Sequence, residues 1–103
     1  MYQFDPQALH LAREFRSRPI GQRSAELERL LTLMRGGPVA GKHCLICVKP
    51  YERWVVGQLS GVRGVGPRFL DNHVVSSIEE GEWEIFKLRW KELGGAKLDE
   101  SVL

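Results

Sequence analysis

Apolar residues in the first half of the chain recur at intervals of three and four. Ala8, Leu11, Ala12 and Phe15 fall on one face of an α-helix if the backbone turns at 3.6 residues per turn. Asp5 offers a capping oxygen, Pro6 suits the first helical position and Ser17-Arg18-Pro19 stops the run, so the pattern predicts a first helix over about 6–17. Leu27, Leu30, Leu31 and Met34 repeat at i, i+3, i+4 and i+7 behind Ser24. Glu26 and Glu28 sit in that first turn, where the helix dipole favours negative charge. Gly36-Gly37-Pro38 ends this second helix.

After Gly41 the period shortens. Lys42–Val48 and Arg53–Leu59 are short, β-leaning apolar runs across the tight Lys49-Pro50-Tyr51-Glu52 segment, which predicts an antiparallel hairpin. Ser60–Gly66 carries three glycines and no period, and reads as a loop. Arg68-Phe69-Leu70 and His73-Val74-Val75 flank Asp71-Asn72 like a small second hairpin. Ser76 and Ser77 each precede a glutamate by three residues, the capping-box spacing. A helix then runs through Trp83, Ile85, Phe86, Trp90 and Leu93 to Gly94-Gly95. The fold class is α+β: two N-terminal helices, a small antiparallel sheet of hairpins and a C-terminal amphipathic helix.

The last helix carries more apolar surface than its own core requires. Ile78, Trp83, Ile85, Phe86, Trp90 and Leu93 span an arc of about 160°, against the roughly 100° stripe of an ordinary surface helix. Trp83, Phe86 and Trp90 are therefore candidates for an interface with a partner. Glu82 and Arg89 lie inside the arc, as wet rim charges or as halves of an interchain ion pair. Arg53 and Trp54 on the second strand join the candidate set. Core is the default role for Trp54 and Phe86, and for Trp83 and Trp90 both roles stay open.

Length and charge narrow the picture. With 103 residues the chain suits one domain, over 1–95, with 96–103 as a frayed tail. Lys plus Arg number 15 against 13 Asp plus Glu, and a net charge of +2 without a basic run argues against nucleic acid. The start, Met1-Tyr2-Gln3-Phe4-Asp5-Pro6, has no basic segment followed by an apolar one, and no window reaches the roughly 20 apolar residues of a membrane span. Cys44 and Cys47, only three apart, cannot staple distant parts of a secreted fold, so a soluble cytoplasmic protein is expected.

Short motifs lose their meaning in context. Gly36–Lys42 has the spacing of a phosphate loop, but it leaves a helix and enters a strand, and His43 stands where Ser or Thr would hold Mg²⁺. Cys44 and Cys47 on a strand point to opposite faces, so they do not converge on a metal. His10, His43 and His73 are scattered, and no nucleophile–base set can be assembled from local spacing. No catalytic, cofactor-binding or metal-binding residue is assigned. Gly61–Arg68 resembles the glycine turn of helix-hairpin-helix modules, with Arg63 and Arg68 placed to flank a phosphate. That turn supports the alternative reading, a nucleic-acid-binding module using residues 61–68.

From Leu27 onward the order of features resembles the small, or alpha, subunit of N,N-dimethylformamidase. A leucine-rich helix ends in Met34-Arg35, and a proline turn, Gly41-Lys42, an apolar strand and Tyr51-Glu52-Arg53-Trp54 follow. A second strand, a loop and a glutamate-rich helix beginning Ile78-Glu79-Glu80 complete the series. The resemblance implies a larger catalytic subunit that holds a mononuclear iron and hydrolyses a small N-substituted formamide to formate and an amine. It further implies that this chain packs on that subunit without supplying metal ligands or a cofactor, in a heteromer of higher order.

Overall fold

Six elements follow one another in the computed structural model, which describes residues 3–17, 21–37 and 39–98: α1 (Leu9–Ser17), α2 (Ala25–Arg35), β1 (His43–Lys49), β2 (Arg53–Gln58), β3 (Arg68–Val75) and α3 (Ile78–Glu92). The three helices and the antiparallel sheet, in the order β1-β2-β3, make the chain α+β. Within the stretch 1–95 read as one domain, two compact units form. The chain up to Gly36 and from Phe86 onward makes one, and Gly37–Ile85 makes the other.

In the first unit α1 starts at Leu9, later than the spacing predicts, because Asp5 closes a separate turn. Its Oδ1 accepts from the Gln7 N–H at 2.9 Å and its carbonyl from the Ala8 N–H at 3.1 Å. Ser24 caps α2, its Oγ accepting from the Leu27 N–H at 3.2 Å. The backbone N–H and hydroxyl of Ser24 both donate to the Glu14 carboxylate at 2.7 Å, so α1 supplies an acceptor to the start of α2. At the other end the Gly36 N–H donates to the Thr32 and Leu33 carbonyls, and Gly37 takes the left-handed conformation at φ +91°. Leu11, Ala12 and Phe15 of α1 and Leu27, Leu30, Leu31 and Met34 of α2 are buried. Phe86 lies nearly parallel to Phe15 with ring centroids 4.5 Å apart, Trp90 follows at 5.9 Å, and Phe4 meets Trp90 edge-on at 4.9 Å. Each such pair contributes about 0.5–1.5 kcal/mol beyond the burial of its area. Of the stretch expected as a tail, Leu98 is buried and 99–103 lie outside the described residues.

In the second unit β1 and β2 pair from His43↔Gln58 to Cys47↔Trp54, and Val48 is the extra residue of a bulge before Lys49↔Arg53. Tyr51 turns the chain at φ +65°, and the Glu52 N–H donates back to the Lys49 carbonyl at 3.1 Å. The second antiparallel pairing differs from the expected hairpin. Asp71-Asn72 is no turn: residues 68–75 form a single strand along β2, with Gly57↔Phe69 and Val55↔Val74. Leu70–His73 stand opposite Val56 alone, so the Asp-Asn pair is accommodated within a large, multi-residue bulge rather than a chain reversal.

Alternation then assigns the two faces of the sheet. Leu45, Cys47, Trp54, Val56 and Val75 share one face by their pairings, and the first half of α3 lies against it. A Cβ on Gly81 would come within 2.5 Å of Leu45 Cδ1, which is the closeness of approach that glycine permits. Cys44, Ile46, Val55, Gly57, Phe69 and Val74 share the opposite face. The capping of α3 is shared between two serines. Ser77 Oγ accepts from the Glu80 N–H at 3.1 Å, while the Glu80 carboxylate accepts from the N–H and Oγ of Ser76 at 3.1 and 3.2 Å. His73 Nδ1 lies 2.9 Å from Glu84 Oε2, which ties the β3 bulge to α3.

Candidate functional site

The β1-β2 turn and the start of α3 together wall an open cleft of about 410 Å³. Cys47 and Trp54, cross-strand partners, form its floor, Pro50 and Tyr51 its rim, and Ser76, Ser77, Ile78 and Glu79 the opposite side. Trp54 is half-buried, whereas Ile78 is 44% and Tyr51 94% exposed. A non-glycine residue at positive φ is uncommon, and here it holds a large amphipathic ring out into solvent.

Two polar groups of the cleft are engaged at the start of the helix. Ser77 Oγ caps α3 and Ser76 Oγ donates to Glu80, so both hydroxyls serve the helix start. His73 is engaged with Glu84. Among the described residues no three His, Cys, Asp or Glu side chains gather where a metal could be held, so the residues present do not fit an iron site. Burial pushes the Cys44 thiol above its ordinary value, an effect partly offset by a hydrogen bond with the Gly57 backbone. Such a thiol stays protonated and is a poor nucleophile at neutral pH.

The residues singled out from the sequence separate into two groups. Arg53 is exposed, and Trp54, Glu82 and Arg89 are half-buried. Trp83, Phe86 and Trp90 are 7%, 2% and 1% exposed, and fill the interior of the chain itself. Trp54 meets Tyr51 and Ile78 in the cleft. Sequence reasoning placed no site at Cys47, Ser77 or Ile78, and the one available signal was the Tyr51–Trp54 run shared by the resemblance. The glycine turn at 61–68 lies between β2 and β3, two strands, so it has no helices to join and the helix-hairpin-helix reading is corrected. Its Gly61, at φ +74°, instead packs against Ala40, where a Cβ would come within 2.8 Å of the Ala40 Cα.

The sequence matches the N,N-dimethylformamidase alpha subunit family over residues 7–100. The chain belongs to that family. The matched stretch takes in all six elements, the cleft and both faces of the sheet. No curated protein matches the sequence. An alpha subunit of N,N-dimethylformamidase is by name one component of a multi-subunit enzyme, so a partner subunit is part of what the family membership says. No helix among the described residues is long and apolar enough to cross a membrane.

Proposed function

We propose that this chain is the accessory small subunit of a heteromeric amide hydrolase. A larger catalytic chain cleaves the C–N bond of a small N-substituted formamide, adding water to give formate and an amine, with a mononuclear iron among its own residues. The observation that carries this reading is the family match over residues 7–100. It is supported by a cleft whose serine hydroxyls are engaged in helix capping while its apolar groups stay open. Arg53 and Trp54, beside the cleft, and Glu82, one helical turn on from Ile78, make the contact with the larger chain, with Arg89 as a further charge at its rim. Trp83, Phe86 and Trp90 support it from inside by holding α3 in place. The free thiols of Cys44 and Cys47 fit a reducing, cytoplasmic setting.

The test is to tag the chain in its native host, purify it, and assay the product for release of formate and dimethylamine from N,N-dimethylformamide, with metal analysis. A stoichiometric complex with a larger iron-containing chain and that activity is the expected result. A chain recovered alone, or with a partner that leaves the amide intact, overturns the proposal.

A further inference from the structure

The two glutamates in the first turn of α3 have different duties. Both stand three residues behind a serine, but the capping uses only one of them: the Glu80 carboxylate accepts from Ser76, and the Glu80 N–H donates to Ser77. Glu79 lines the cleft instead, and it is exposed. Among the described residues its carboxylate has no hydrogen-bond or ion-pair partner, whereas Glu52 of the neighbouring hairpin turn is held by Lys49 at 2.7 Å. Of the described residues that line the cleft, Glu79 alone is charged. Across from it stand two aromatic rings, Trp54 in the floor and Tyr51 at the rim. Tyr51 is 94% exposed at a φ of +65°, a conformation that glycine adopts without strain and a bulky residue does not. The ring buries almost nothing in the free chain, so the strain at its backbone has no compensation there and points to a role in recognition.

We infer that the cleft receives an arginine side chain of the larger subunit, its guanidinium against the rings of Tyr51 and Trp54 and paired with Glu79. The inference rests on the accessory-subunit reading, since that reading supplies the partner, and it names what the partner presents at the cleft. A purely apolar segment laid over the cleft would take the Glu79 carboxylate out of water with no counter-charge, which is unfavourable. A cation supplies that charge, and the faces of aromatic rings attract it through their quadrupoles. Arginine suits the place better than lysine, because its planar guanidinium is weakly hydrated, stacks on rings and donates to a carboxylate through two N–H groups at once. Its aliphatic stem covers apolar surface on the way in, here Cys47, Pro50 and Ile78. At about 410 Å³ the cleft lies near the lower end of the roughly 300–1,000 Å³ range of ligand pockets, and it is open, so it holds one long side chain with the backbone that carries it.

The experiment uses the purified complex that hydrolyses N,N-dimethylformamide, rebuilt with variants of the full chain. Glu79→Gln should weaken binding of the larger chain at least about fivefold, and Glu79→Lys more, because it sets like charges against each other. Binding by the Glu79→Gln chain should also fall less steeply than native binding as salt is raised. Tyr51→Gly removes the ring and relieves the positive φ, so the free chain should keep or raise its urea midpoint while binding falls about tenfold. A ring with only a structural role would not separate those two readings. Asp71→Asn removes an exposed carboxylate of β3 that does not line the cleft; it is the control and should assemble as the native chain does. Phenylglyoxal, which modifies accessible guanidinium groups, reads the arginine itself. One arginine of the larger chain should be protected in the native complex and react in the complex rebuilt with Glu79→Gln. Native binding by either Glu79→Gln or Tyr51→Gly overturns the inference; where only Tyr51→Gly weakens binding, the cleft takes an apolar anchor instead. A larger chain with no arginine protected in this way overturns it as well. So does a dimer of this chain alone that Glu79→Lys dissociates, because the cleft then belongs to a second copy. If the native chain brings down no amide-hydrolysing partner, the accessory-subunit reading itself falls, and the two failures are told apart by that first step.

Discussion

Replacing Phe86 with leucine tests whether the aromatic arc of α3 belongs to the chain's own interior. Phe86 is 2% exposed, so nearly its whole ring is withdrawn from water, and it has ring neighbours in Phe15 at 4.5 Å and Trp90 at 5.9 Å. Truncation to alanine would cost about 3–5 kcal/mol, a large part of the roughly 5–15 kcal/mol that holds a domain folded. Leucine keeps most of the volume and forfeits the ring contacts, so the expected loss is about 1–2 kcal/mol. A double-mutant cycle with Phe15→Leu isolates the stacking. Unfolding each variant in urea, followed by tryptophan fluorescence, should give a coupling of about 0.5–1.5 kcal/mol between positions 15 and 86. Additivity within about 0.3 kcal/mol would show that the rings do not interact. A Phe86→Leu chain with an unchanged midpoint that no longer joins the larger chain would refute the interior assignment and return Phe86 to the partner surface.

Four further outcomes follow from particular residues. Ser24→Ala should lower stability by about 1 kcal/mol or somewhat more, since it removes the α2 cap and one of the two donors to the Glu14 carboxylate; an unchanged urea midpoint would show that the cap contributes nothing. Gly95→Ala should cost about 1–3 kcal/mol, because its Cβ would overlap the Trp90 indole, and a variant as stable as the native chain would show that the indole can move aside. At pH 8 iodoacetamide should label exposed Cys47 before Cys44, as read by peptide mass spectrometry, and the reverse order would contradict the burial that raises the Cys44 thiol. With that thiol raised in the folded chain, its contribution is intact below the ordinary value of 9.0 and is lost as pH climbs beyond it, where the unfolded thiol ionises first. Stability should therefore decline in that alkaline window, and Cys44→Ser should flatten the decline.

The cleft and the sheet were less legible than the helices. Arg53 and Trp54 could be picked out from the sequence, but the cleft beside them depends on Ile78 arriving next to Cys47 from a position 31 residues away along the chain. The sheet face bearing Phe69 and Val74 was invisible for a related reason. Asp71-Asn72 carries a strong local turn signal, and only pairing of the flanking residues with Val55 and Gly57 converts it into a bulge within one strand.

What the sequence by itself determined are the features written within a few residues of each other. The leucine period of α2, its Ser24 cap, the serine-glutamate start of α3 and the first hairpin all rest on hydrogen bonds and side-chain spacings that span one or two turns. The tertiary structure decided the rest. The width of the apolar arc on α3 could be counted from spacing, but whether Phe86 and Trp90 are covered depends on residues such as Phe4 and Phe15, far away along the chain. Burial is a property of which surfaces meet, and the spacing of residues along one helix says how much apolar surface it carries without saying what lies against it.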